Sequence, residues 1–99
     1  MQYDFKWDPV KAASNAHKHG VTFKQAMQVF KDPMALTVYD DEHSEGGEER
    51  WITMGQSNGR VYLLVVHTYQ DLENDGVIKV RIISARQANK FEIQQYEQG

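Results

Sequence analysis

From Val77 to Arg86 the chain reads VIKVRIISAR, and Ile78, Val80 and Ile82 recur at every second position. That period belongs to a strand with one face in a core. The other face carries Lys79, Arg81 and Ile83, with Arg86 just past the strand's end. Near the start, Tyr3 to Trp7 alternates aromatic and polar residues, as a short edge strand does. Asp8-Pro9 reads as a helix start, with Asp8 as N-cap and Pro9 at the first helical position. Val10, Ala13 and Ala16 or His17 supply a narrow apolar stripe, and Gly20 suits a left-handed C-cap. Thr22 and Gln25 form a capping box for a second helix, with Val21 placed to staple onto Ala26. Phe23, Ala26, Met27 and Phe30 follow at helical spacing until Asp32-Pro33 ends the helix.

The period then returns to two. Ala35 to Tyr39 reads as a strand with Leu36 and Val38 on one face. Asp40 to Glu48 (DDEHSEGGE) has no apolar period and reads as a mobile loop. Glu49–Ser57 and Arg60–Gln70 flank Asn58-Gly59, a strong hairpin signal. The near-continuous apolar run Val61–Val66 predicts a central strand covered on both faces. A polar turn through Asn74-Asp75-Gly76 leads into the strand at Val77. Asn89 with Glu92 opens a C-terminal helix whose Phe91 and Tyr96 are expected to face the protein. The expectation is a single α+β domain over residues 1–99. It has an antiparallel β-meander of about four strands, two N-terminal helices and one C-terminal helix.

Composition narrows the function classes. The 99 residues contain no cysteine, which excludes disulfides and thiolate metal sites. The N-terminal residues MQYDFKWDP lack the apolar core of a signal peptide, and no run approaches the length of a membrane span. A cytoplasmic protein with no membrane partner is therefore expected. The formal net charge of −3 argues against broad nonspecific nucleic-acid binding. The charge is unevenly placed, however: acids crowd 40–49, whereas Lys79, Arg81, Arg86 and Lys90 cluster later. Lys79 and Arg81 either pair with carboxylates on a solvated sheet face or present cations to an anion such as a phosphodiester, which guanidinium can grip with two parallel bonds. The acidic loop with His43 can be drawn as a metal site, although it lacks EF-hand spacing.

Several blocks in order resemble one family: FKWDPVKAASNAHKHGVTF, VFKDPMALTVYDDEHSEGGEERW and RIISARQA, with Tyr96 near the end. They are similar to the BrnT toxins, partners of BrnA antitoxins in bacterial type II toxin–antitoxin pairs. The resemblance implies a RelE-like fold and an endoribonuclease that arrests translation when its antitoxin is missing. It also implies a BrnA-like antitoxin with a DNA-binding domain, through which alone the pair reaches operator DNA. The chain departs from relatives that carry further arginines in the C-terminal helix, having Ile93 and Gln94 there.

Metal-independent RNA cleavage needs a base for the 2′-hydroxyl, cations for the phosphorane and an acid for the departing oxygen. Arg50, Arg81 and Arg86 are the candidates for charge stabilisation, each with a bland alternative as an ion pair or helix cap. Lys18 and His19 come next for proton transfer, then Tyr96; His67 and Glu49 are weaker candidates. Trp51 and Tyr62 either stack an unpaired base or fill the core. No cofactor is expected. A noncatalytic module that holds the antitoxin and assists repression is the competing reading, and a metal-dependent hydrolase a third.

Overall fold

The alternating stretch becomes β5 (Val77–Gln87), second in a five-stranded sheet. The structure, a computed structural model, describes residues 2–42, 44, 46, 48–71 and 76–99. Before β5 come β1 (Gln2–Lys6), α1 (Pro9–His19), α2 (Phe23–Val29), β2 (Leu36–Tyr39), β3 (Trp51–Ser57) and β4 (Val61–Asp71); α3 (Lys90–Gln98) follows it. The strand order is β1-β5-β4-β3-β2. Strands β2 to β5 form the expected antiparallel meander. The α+β class holds, but the sheet has a fifth strand, because β1 adds parallel to β5 with Lys6 opposite Arg81. Pairing between the two ends of the chain has no local turn to announce it.

Local signals decide most boundaries. Asp8 accepts the Val10 N–H at 2.8 Å, and Gly20 closes α1 at φ 68°. Both capping boxes form: Thr22 with Gln25 and Asn89 with Glu92. Asn58 and Gly59 take φ 55° and 68°, the left-handed pair required by a type I′ hairpin turn. The turn read at Leu72–Asp75 lies outside the described residues, as do His43, Glu45 and Gly47 of the acidic loop.

Both α1 and α2 pack on one face of the sheet. Val21, Phe23, Ala26 and Val29 meet Leu63, Val65, Val80, Ile82 and Ala85 there. Gly55 admits the end of α2 to β3, since a Cβ on it would lie 3.0 Å from Val29 Cγ1. The stripe expected on α1 is wrong, because Val10 is 77% exposed and Asn15 is the buried residue of that helix. Asn15 Nδ2 donates to Val21 O at 3.0 Å and Ala85 O at 2.9 Å, while its Oδ1 accepts the Ala85 N–H at 3.1 Å. A polar residue whose partners are backbone groups leaves no mark in an apolar pattern.

Three further expectations are corrected. The run Val61–Val66 buries Leu63 and Val65 but leaves Tyr62, Leu64 and Val66 only half-buried, because α1 and α2 cover one face alone. Phe91 is 78% exposed; only Tyr96 of that pair turns inward, its ring 5.3 Å from that of Tyr62. Arg86 lies inside β5, which runs on to Gln87.

His67 is fully buried on the helical face, between the rings of Phe30 and Tyr69 at 4.9 and 4.7 Å. Its Nε2 meets the Thr53 hydroxyl at 2.7 Å, and Thr53 meets Thr37 at 2.8 Å. Nδ1 finds no partner of hydrogen-bonding geometry. Burial therefore pulls the imidazole down to about 4, against a small opposing effect of the Thr68 backbone.

Asn15→Ala removes both Asn15 bonds to Ala85 and strands a backbone N–H, so chemical denaturation should show a loss of about 2–3 kcal/mol. His67 binds its proton less readily folded than unfolded, so its contribution is complete above the ordinary value of 6.5 and fades as pH falls towards 4. Unfolding free energy measured from pH 7.5 to 4.5 should drop by about 2–3 kcal/mol more in the parent than in His67→Gln.

Candidate functional site

The face opposite α1 and α2 carries the cations, and β5 decides which ones. Val66 pairs with Ser84 but His67 with Ile82, so Ile83 is an extra residue in β5. A β-bulge of this kind shifts the alternation by one position. Before it, Ile78, Val80 and Ile82 point to the helices; after it, Ala85 does. Arg81 and Arg86 are an odd number of residues apart and would face opposite ways in a regular strand. With the bulge they share the open face, opposite Thr68 and Leu64 of β4. Along the strand they are about 15 Å apart.

At the Arg81 end the side chains converge. Arg81 Nη2 donates to Glu48 Oε1 at 2.6 Å. Arg50 Nε reaches the same oxygen at 3.5 Å. The approach to this carboxylate is organised by the strand entry: Asp40 N–H donates to Arg50 O at 2.8 Å, and Ser44 bonds both Asp40 O and the Arg50 N–H. Beside the Arg81–Glu48 pair lies a groove of about 600 Å³, lined by Lys6, Thr68, Gln70 and Lys79 among others. Among the described residues neither Lys6 nor Lys79 has an ion-pair partner.

At the other end Arg86 is committed. Its Nη1 and Nη2 grip Glu92 Oε1 and Oε2 at 2.9 and 2.8 Å, and Nη1 also donates to Gln87 O. This bidentate bond holds the Glu92 carboxyl below the usual range and raises Arg86 further. Glu92 also takes the Asn89 N–H, so the pair fixes the start of α3.

Tyr96 donates to Asp32 Oδ2 at 2.6 Å, and that hydrogen bond, with burial, pushes the phenol up to about 12. The same Asp32 oxygen accepts the Gln56 N–H at 2.8 Å. Burial works against the Asp32 carboxylate, but the bonds from Gln56, Tyr96 and Met34 outweigh it and lower its pKa. Lys18 and His19 end α1 and so belong to the helical layer, across the sheet from Arg81. The six residues singled out for chemistry thus divide into four places: Arg50 with Arg81, Arg86, Lys18 with His19, and Tyr96.

Trp51 packs between Tyr39 and Tyr69, at 5.2 and 5.9 Å, on the helical side. Among the described residues no group of three His, Asp or Glu side chains gathers to hold a metal. Lys6 was not singled out in the sequence. Its only trace there is the alternation of YDFKW, which fixes its face but not its neighbour.

A family model described as ribonuclease toxin, BrnT, of type II toxin–antitoxin system matches residues 7–92. The crystal structure of the Brucella abortus ribonuclease toxin BrnT has the same fold, with a TM-score of 0.62 at 21% identity. The match covers 91% of this chain and 100% of that one. No curated protein sequence matches significantly. With 7–92 accounted for by a single model and the fold shared, the chain belongs to the BrnT family of ribonuclease toxins of type II toxin–antitoxin systems.

Proposed function

We propose that the chain is a metal-independent endoribonuclease toxin whose cleavage chemistry centres on Arg81. The observation that carries this reading is a guanidinium on an open sheet face, beside a groove with two further cations that have no ion-pair partner among the described residues, in a chain of a ribonuclease family. In the reaction the RNA 2′-oxygen attacks the neighbouring phosphorus and the 5′-oxygen leaves, giving a 2′,3′-cyclic phosphate and a 5′-hydroxyl. Arg81, with Arg50 beside it, neutralises the charge that builds on the non-bridging oxygens. Neither guanidinium can take the 2′-proton at neutral pH. Nor can His67, which solvent does not reach. Glu49, which lines the same groove as Arg81, is the candidate base on this face. Arg86 and Tyr96 are supporting candidates for a strand that runs on along β5 towards α3, and Lys18 and His19 only if the RNA wraps the edge of the sheet. The toxin is held inactive by a BrnA-like antitoxin, and operator DNA is reached only through that partner's DNA-binding domain.

A second reading is favoured by one specific observation: Arg50, Arg81 and Arg86 are each paired with a carboxylate of the chain. On this reading the protein is a noncatalytic module that binds the antitoxin and assists repression.

Purified protein incubated with RNA in EDTA separates the two readings. The ribonuclease reading expects cyclic-phosphate products in EDTA, and a loss of about 10²–10³-fold in rate for Arg81→Ala at unchanged melting temperature. RNA left intact by the parent protein, together with harmless expression in cells lacking an antitoxin, would leave only the binding module.

A further inference from the structure

Parallel pairing of β1 with β5 puts Lys6 directly opposite Arg81, with Lys79 two residues before Arg81 on the same face. Thr68 and Gln70 of β4 stand opposite Arg81 and Lys79 on the other side. The cations thus sit on two hydrogen-bonded strands, β1 and β5, which fixes their spacing more firmly than a loop would. The groove they line is open, about 600 Å³, and mixes these cations with the Thr68 hydroxyl, the Gln70 amide and, at its rim, the carboxylates of Glu48 and Glu49. Such a set suits a sugar–phosphate backbone: ammonium groups meet phosphate oxygens and neutral donors meet ribose hydroxyls.

Of the two carboxylates, one sits directly on the arginine. Glu48 Oε1 occupies Arg81 Nη2 at 2.6 Å from the rim of the same groove. Both side chains are nearly half exposed, at 48% for Arg81 and 43% for Glu48. An exposed pair of this kind is weak and exchanges readily with another anion. A carboxylate oxygen at this position occupies the place a phosphate oxygen would take.

We infer that Lys6 and Lys79 form, with Arg81, a landing site for a phosphodiester of the RNA strand, and that Glu48 is a built-in competitor which the strand must displace. The inference rests on the ribonuclease reading for the identity of the ligand, but the site itself is defined by binding and not by cleavage. Affinity then falls steeply with salt, because each phosphate contact releases counterions. The competitor tightens discrimination against isolated anions: a single phosphate exchanges one anion for another, whereas a strand adds the two lysine contacts.

The test uses the full chain and a fluorescent 2′-O-methyl oligoribonucleotide, which lacks the attacking hydroxyl and cannot be cleaved. Fluorescence anisotropy should show Lys6→Gln and Lys79→Gln each weakening binding by about three- to tenfold and lowering the salt slope by about one. Glu48→Gln should bind about three- to tenfold more tightly. Circular dichroism melts, expected to be unchanged because Lys6 and Glu48 are exposed and Lys79 is only half-buried, would show that the variants remain folded. Wild-type affinity in both lysine variants, or no tightening in Glu48→Gln, would overturn the inference. Displacement of the oligonucleotide by polyglutamate at equal charge would also overturn it, in favour of an acidic protein segment. Cleavage of all-ribose RNA, assayed in parallel, keeps the two claims apart. Binding as described without cleavage removes the ribonuclease reading alone, and cleavage indifferent to the three variants removes this one alone.

Discussion

Beyond Lys6 the chain leaves the sheet for α1, and β5 runs on to Gln87 with β1 no longer beside it. At Ala85 the edge thus exposed is met by a single side chain. Asn15 offers Ala85 an acceptor and a donor, as a neighbouring strand would, and its remaining contact pins the start of the second helix at Val21. An unpaired buried amide is costly, so this one group ties α1 to the strand edge and to the inter-helix turn in addition to the apolar core. An aliphatic residue of equal size would fill the space and leave Ala85 unpaired.

The Ile83 bulge lies just before that clamp. It turns Ala85 inward beneath α1 and at the same time brings Arg86 onto the face that already holds Arg81. One irregular residue therefore sets the packing of α1 and the distribution of charge on the open face. The same strand places its two arginines in different service. Arg86 is a bidentate brace for the C-terminal helix. Arg81 holds a single bond to a half-exposed carboxylate beside open space. Strength of pairing, more than position, distinguishes the two arginines.

The acidic balance of the chain acquires a local meaning here. A net charge of −3 disfavours indiscriminate contact with nucleic acid. The open face nevertheless gathers Lys6, Lys79 and Arg81 along one groove, with Arg50 joined to Arg81 through Glu48. A small cationic site within an acidic protein favours a ligand that can make several contacts at once. It contributes little to a distant, unspecific attraction.

Sequence alone determined whatever depends on neighbours within a few residues. The Asp8, Thr22 and Asn89 caps, the Asn58-Gly59 turn and the apolar period of Val77–Ile82 are all set by steric and hydrogen-bonding rules of that range. The ordered blocks shared with BrnT toxins were legible too, and the family match over 7–92 agrees with them. Tertiary structure alone decided the parallel pairing of β1, the buried role of Asn15, the outward turn of Phe91 and the bulge at Ile83. It also decided the partner of each cation: Lys6 beside Arg81, Glu48 on Arg81 and Glu92 on Arg86. Those outcomes turn on backbone groups and charges brought together from distant parts of the chain, and a local period carries no record of what will lie opposite.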